Sequence, residues 1–356
     1  MQGKQTDNMP QLQEPRFIVV VGASAGGLQS VVELIAQLKE EMQVAVFVVM
    51  HLSKLSLSKV LVARLQALTT YHCKIAENDE PVQAGHVYLA PPDVHLLVSM
   101  DKKVRLGHGP AENRWRPSID ILFRAAAAAY NSRVIGIILS GLMQDGTAGM
   151  ETIRRSGGTL VVQDPTEAEF PDMPLSVLQN MEVDYNIPIA KMGAVLEEKT
   201  RGERPPETHV PEDIAMEAII SERVAINIET LQELGPKSDF SCPDCGGGLY
   251  HTNVGGVPHY RCHVGHSYTE GDLLFTMTKS LEGTLWVALR MMEERRLLLK
   301  KMAAEETAKG WTHSAAQKRE REGEMRRHIE RLKEILYAAQ VMPGPGGADE
   351  ELKKAS

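Results

Sequence analysis

The stretch from Ile18 to Gly27, Ile-Val-Val-Val-Gly-Ala-Ser-Ala-Gly-Gly, constrains this chain more than any other. A β-branched apolar run long enough for a buried strand stops at glycines that bracket one serine, and a helical pattern follows to Leu38. A serine on so sharp a strand-to-helix turn is lifted above the sheet, and flanking glycines remove side chains that would block close approach. Gly22-Ala23-Ser24-Ala25-Gly26 fits the G-x-S-x-G elbow, which marks Ser24 as a candidate nucleophile. The amino-terminal N–H groups of the following helix would face the reacting carbonyl and stabilise charge developing there. The competing reading is a glycine-rich phosphate turn. It fits less well, because Ser24 stands where a G-x-G-x-x-G needs its second glycine and no G-K-[ST] follows.

Buried-strand runs then alternate with helical patterns. Strands are expected at Phe17–Val21, Val44–Met50, Lys74–Ala76, His86–Ala90, Val134–Leu139 and Thr159–Gln163, with helices to Leu38, near Leu55–Leu68, from Ser118 to Tyr130, from about Thr147, and near Leu175–Met181 and Ile189–Glu197. That alternation predicts an α/β fold, a doubly wound and mostly parallel sheet. Val94–Ser99 and Lys103–Leu106 read as a β-hairpin added to it. Residues 1–15 form a mobile lead-in, 16–198 the main domain, 199–236 a linker and helix, 237–270 a cysteine-bearing module, 271–341 a long helical hairpin and 342–356 a disordered tail. The net charge of −8 argues against a nucleic-acid binder, despite Arg114 and Arg116. No apolar run reaches the roughly 20 residues of a membrane span and the start is polar, so no membrane insertion and a cytoplasmic location are expected.

A serine hydroxyl needs a base, and the base needs an orienting acid. His51 directly follows the strand Val44–Met50, and Asp145 follows Val134–Leu139 through Ser140-Gly141-Leu142-Met143-Gln144, so both fall at the carboxyl edge that carries Ser24. Asp145-Gly146 is also a natural turn or helix cap before Thr147. His72, His86 and His95 read as packing or surface residues, whereas His108 falls in a loop that could line a cleft. The chain order Ser24, His51, Asp145 differs from the α/β-hydrolase order and from both protease orders.

The set Val-Gly-Ala-Ser-Ala-Gly-Gly, Val-Met-His51-Leu, Tyr88-Leu-Ala-Pro-Pro-Asp-Val-His95, Arg116-Pro-Ser-Ile-Asp120, Leu139-Ser-Gly-Leu-Met-Gln-Asp145-Gly and Gln163-Asp-Pro with Asp172-Met-Pro174 resembles the chemotaxis protein-glutamate methylesterase (CheB-type) catalytic domain over about residues 16–198. The resemblance implies hydrolysis of glutamate γ-methyl esters on chemoreceptors or related signalling proteins, with deamidation of glutamines as a side activity and no cofactor for catalysis. It implies Ser24 as nucleophile, His51 as general base, Asp145 as the acid that orients it, and an oxyanion site from backbone around Ala25, Leu142 and Met143. Ala25 stands where some members have threonine, and Leu142-Met143 where they have Met-Gly. Such proteins in standard chemotaxis carry an amino-terminal receiver domain. Only residues 1–15 precede the first strand here, so a regulatory partner or the carboxyl-terminal extension is expected to take its place.

Cys242-Pro-Asp-Cys245 and Cys262-His-Val-Gly-His266 form two knuckles of metal ligands with glycine turns beside them, a pattern that predicts a small zinc ribbon. Cys242, Cys245, Cys262 and His266 are the expected ligands of a structural zinc, with His263 competing for the fourth place. Cys73 stands apart as a core residue. Leu274, Met277, Leu281, Leu285, Ala288, Met292 and Leu299 form an amphipathic stripe, read as a packing seam, with dimerisation or receptor docking as the alternative. Beside the hydrolase stand a catalytically idle module that holds a signalling partner in the same cleft, and a zinc-ribbon nucleic-acid regulator, which the acidic charge disfavours.

Overall fold

A computed structural model describes residues 13–51, 58–201, 205–206, 208–222, 231–232, 235–254 and 257–340. The chain divides into two compact units, Met1–Glu270 and Gly271–Ser356. The first is built on a sheet whose strands are β1 (Phe17–Ala23), β2 (Val44–Met50), β3 (His72–Ile75), β4 (His86–Leu89), and beyond the hairpin β5 (His95–Val98) and β6 (Val104–Gly107), β7 (Val134–Ile138), β8 (Thr159–Gln163) and β9 (Tyr185–Ile187). Seven of them pair in the order β3-β4-β2-β1-β7-β8-β9, every pairing parallel.

Strand periodicity divides the core in two. Phe17, Val19 and Val21 face one layer, formed by α1 (Gly27–Ala36), α2 (Ser58–Gln66) and α6 (Ile189–Thr200), while Ile18 and Val20 face the other, formed by α3 (Ile119–Tyr130), α4 (Thr147–Arg155) and α5 (Asp172–Asn180). Both faces are covered, so β1 and β2 are buried along their whole length and read as unbroken apolar runs. The chain winds from β1 toward β2 on one side and returns to β7 on the other. The switch point, where open parallel sheets leave a crevice, therefore lies between β1 and β7.

The hairpin departs from expectation. β5 and β6 pair with each other as a separate two-stranded sheet. β4 already has β2 and β3 on its two sides, so no edge is open beside it, and the hairpin instead buries Leu97 against Ile121 and Ala125 of α3. β9, absent from the sequence reading, is a three-residue edge strand with little apolar signal.

The helix expected within 199–236 is described as α7 (Glu212–Glu222), where Ile214 and Ala218 pack on Ala128. Its continuation over 223–230, the first turn expected near Leu55 and the tail expected at 342–356 lie outside the described residues. A four-stranded antiparallel sheet follows, β10 (Lys237–Ser241), β11 (Gly248–Val254), β12 (Val257–Cys262) and β13 (Ser267–Thr269).

In the second unit α8 (Glu270–Ala308) and α9 (Thr312–Gln340) form a hairpin turned at Gly310, whose φ of 77° is left-handed. Arg296 joins Glu322 at 2.9 Å, Lys318 joins Glu306 at 2.5 Å, and Ala303, Ala315, Ile329 and Leu336 are buried. The expected seam is not closed throughout. Leu274, Met277 and Leu281 are exposed, as are Trp286 and Met291.

Candidate functional site

Ser24 follows β1 directly and His51 follows β2, at the paired ends Ala23 and Met50. The pairing continues past the strands: the His51 N–H donates to the Ala23 carbonyl at 3.2 Å, and the Ser24 N–H to the Ser140 carbonyl at 3.0 Å. Two side chains from adjacent parallel strands thus leave the sheet side by side. The Ser24 Oγ lies 3.1 Å from His51 Nδ1, and His51 Nε2 lies 2.8 Å from an Asp145 oxygen. Ser24 is partly exposed, while the imidazole and the carboxylate are buried.

Glycines make this approach possible. Gly26 has a φ of 69°, and Gly22 leaves no room for a side chain, since a β-carbon there would meet Ile119 at 2.5 Å. A β-carbon on Gly141 would stand 2.8 Å from the Ser24 Cβ and run into the Met173 sulfur. Ser140 ties this segment down: its Oγ donates to the Ala25 carbonyl at 2.9 Å and its N–H to Gln163 at 2.9 Å.

Asp145 caps a helix, though not the one its sequence position suggests. Ser118, at the cap position of α3, makes no side-chain cap, and Gly146 precedes α4. The Asp145 carboxylate takes the α3 cap instead, accepting from the N–H of Ile119 at 2.8 Å, the N–H of Asp120 at 3.2 Å and the Ser118 hydroxyl at 3.0 Å. Burial alone would raise this carboxyl. The hydrogen bond from His51, its charge and the α3 N–H groups outweigh burial and hold it below the ordinary range. An ionised carboxylate can only accept, so Nε2–H donates to Asp145, and Nδ1 is the ring nitrogen that faces the Ser24 hydroxyl.

A second buried carboxyl sits beside the first. Asp120 accepts from the Gly149 N–H at 2.6 Å, and burial together with the Asp145 charge pushes it well above the ordinary range. The Asn113 amide spans both carboxyls, at 2.7 Å from Asp120 and 3.3 Å from Asp145. The Trp115 ring stacks on His51 with centroids 4.1 Å apart and planes 5° from parallel. Neither Asn113 nor Trp115 carries a motif signal, and only the fold reveals them.

The expected oxyanion residues lie at the same edge. Ala25 follows Ser24 in the turn before α1, and Leu142 and Met143 follow Gly141. The Met143 N–H points to the Asp172 carboxylate at 3.4 Å, its φ is 72°, and its sulfur is in contact with the Arg114 guanidinium. Cys73 is a buried free thiol in the core, and burial pushes it up to about 11.

A separate cluster joins Cys242, Cys245, Cys262 and His266, whose donor atoms all lie within 4.8 Å of one another. Cys245 Sγ stands 3.7 Å from Cys262 Sγ, and Cys262 Sγ 3.5 Å from His266 Nδ1. Tetrahedral zinc with ordinary bond lengths would separate two sulfurs by about 3.8 Å and a sulfur from a nitrogen by about 3.6 Å, so the donor set fits that ion. The His263 ring lies instead against Gly247.

Comparison with known proteins adds to this geometry. A family model described as CheB methylesterase matches residues 19–196. The putative protein-glutamate methylesterase/protein-glutamine glutaminase of Leptospira interrogans is 36% identical over 174 residues, which cover 49% of this chain and 90% of that one. Protein-glutamate methylesterase/protein-glutamine glutaminase 2 of Methanosarcina mazei is 31% identical over 199 residues, covering 53% of each. The crystal structure of the Thermotoga maritima CheB methylesterase catalytic domain is similar at 34% identity and a TM-score of 0.49, covering 51% of this chain and 98% of that domain.

Proposed function

The chain belongs to the CheB methylesterase family, and on that premise we propose that it is a serine hydrolase that demethylates glutamate γ-methyl esters, and deamidates glutamines, on chemoreceptor-like signalling proteins. Residues 16–198 carry the reaction in this reading. The observation that carries it is the hydrogen-bonded series from Ser24 through His51 to Asp145, closed at 3.1 and 2.8 Å.

Ser24 Oγ attacks the ester carbonyl as His51 Nδ1 takes its proton, and the imidazolium is held by ionised Asp145. The tetrahedral oxyanion is stabilised by backbone N–H groups around Ala25 and Leu142–Met143, with Met143 turning from Asp172 toward it. As the intermediate collapses, His51 gives its proton to the leaving oxygen and methanol departs. Water, deprotonated by His51, then cleaves the acyl-enzyme, releasing glutamate and restoring the serine. No cofactor enters these steps.

Cys242, Cys245, Cys262 and His266 hold a structural zinc in this proposal. Protein atoms fill all four positions, so the ion would stabilise a sheet too small to bury a core of its own.

Ser24→Ala should abolish methanol release from a methyl-labelled receptor while leaving the melting temperature within a degree or two. Undiminished turnover would reject the nucleophile. A fluorophosphonate that labels the native chain and spares the variant separates a hydrolase from an idle binding module.

A further inference from the structure

The turn that touches the site is held from far along the chain. Glu112, Asn113, Arg114 and Trp115 close a tight turn, with Glu112 N–H donating to the Trp115 carbonyl at 3.2 Å and Trp115 N–H to the Glu112 carbonyl at 2.9 Å. Its central residues, Asn113 and Arg114, have φ of 50° and 68°. Two successive left-handed residues, neither of them glycine, persist only where the surroundings impose them. Those surroundings include the cysteine-bearing sheet. The Asn113 N–H donates to the Ser267 carbonyl at 2.9 Å, and Glu112 bridges Ser267 in parallel register.

A buried charge cluster fixes the same junction. The Glu112 carboxylate receives Arg124 of α3 at 2.8 Å and Arg261 of β12 at 3.3 Å, while Arg261 reaches Glu217 of α7 at 3.0 Å. All four side chains are at most 3% exposed. Burial alone would raise Glu112, but Arg124 and Arg261 outweigh it and hold the carboxyl below the ordinary range. Breaking such a cluster on one side strands a charge, so the arrangement has little slack.

Resting on the hydrolase reading above, we infer that the ribbon seats the triad: Arg261 and the Ser267 carbonyl lock the Glu112–Trp115 turn, which sets Trp115 on His51 and Asn113 on Asp145. Trp115 and Asn113 are positioning residues. The indole fixes the imidazole plane and keeps water from it, and its face stabilises the imidazolium that forms when Ser24 gives up its proton. The Asn113 amide adds a donor to the carboxylate that orients His51. The ribbon and the catalytic sheet then form one machine, and a disturbance at β12 is felt at His51.

The test uses the full chain with Trp286→Phe and Trp311→Phe, which leaves Trp115 as the sole indole of the three. Arg261→Gln with Glu217→Gln removes one charge of each sign and spares the Glu112–Arg124 pair. With p-nitrophenyl acetate as probe, kcat should fall by up to about 100-fold, as expected for slight misplacement of a catalytic group, with KM within about two-fold. Trp115 emission should move to the red and its acrylamide quenching should rise. Arg261→Lys should recover part of both. Independently, Trp115→Phe should keep most of kcat and Trp115→Ala should not.

Unchanged Trp115 emission and quenching in the double variant would overturn the inference, whether the ribbon stays closed or opens. A native chain with no esterase turnover at all would instead reject the hydrolase reading and leave the fluorescence comparison valid.

Discussion

Asp145→Asn should cost this protein both activity and stability, because one carboxylate serves two structures. Its two oxygens divide the donors: one accepts from His51 and the Ile119 N–H, the other from Ser118, Asn113 and the Asp120 N–H. An asparagine has one acceptor and one donor group, and a backbone N–H faces each side. Either rotamer therefore leaves one buried α3 N–H without an acceptor, at about 1–3 kcal/mol. Loss of the negative charge at the α3 amino terminus adds about 0.3–1 kcal/mol. Without the Asp145 charge beside it Asp120 ionises at less cost, which offsets part of this, so a net loss of about 1–3 kcal/mol is expected, or a melting temperature lower by roughly 2–12 °C for a unit of this size. The rotamer that turns its NH2 toward His51 would also favour the wrong tautomer, an effect worth about 10⁴ in kcat at a serine triad. Calorimetry and methanol release should be compared with Ser24→Ala, which removes the hydroxyl without touching α3. If Asp145→Asn melted with the native chain, the claim that this carboxylate caps α3 would be wrong.

Gly141→Ala should destabilise by about 1–3 kcal/mol through overpacking against Ser24 and Met173, and lower kcat more than KM, as thermal melts and initial rates would show. The pH dependence carries two opposite signs. Asp145, held below its ordinary range, contributes stability above the unfolded value near 4 that is lost as the pH falls through its folded value. Asp120, pushed above its ordinary range, keeps a proton that the unfolded chain has released, so its contribution declines as the pH rises from about 4, by up to about 1.4 kcal/mol per unit until its folded value is passed. Asp120→Asn should flatten that decline in melts between pH 4.5 and 7. Cys245→Ser should abolish zinc retention, measured by metal analysis, and strip hydrogen-exchange protection from β10–β13 before β1 and β2 are affected.

Ser24 and His51 were legible because each stands one residue past a long apolar strand, where strand direction alone decides what reaches the carboxyl edge. Asp145 was legible by position, yet its hold on α3 was not, because the two segments are joined only by folding and Ser118 looks like the natural cap. Asn113 and Trp115 lie in a polar loop with no periodicity, and their roles depend on contacts with Ser267 and with residues across the sheet. Alternation reveals a strand but not its neighbour, so the pairing of β5 and β6 with each other rather than with the main sheet is visible only in the fold. The cluster of Cys242, Cys245, Cys262 and His266 is readable from spacing, since Cys-x-x-Cys knuckles are local; that the same module touches the loop beside His51 is not.

The two-sided burial of β1 has a consequence for how this sequence can vary. Phe17, Val19 and Val21 belong to one core and Ile18 and Val20 to the other, so exchanges among similar apolar residues should pass with modest loss. Inserting or deleting a single residue between Phe17 and Ala23 would trade every side chain on one side of the change to the opposite layer, or carry the hydroxyl of residue 24 away from its imidazole. A saturation library across this segment should thus tolerate many replacements and reject nearly all changes of length.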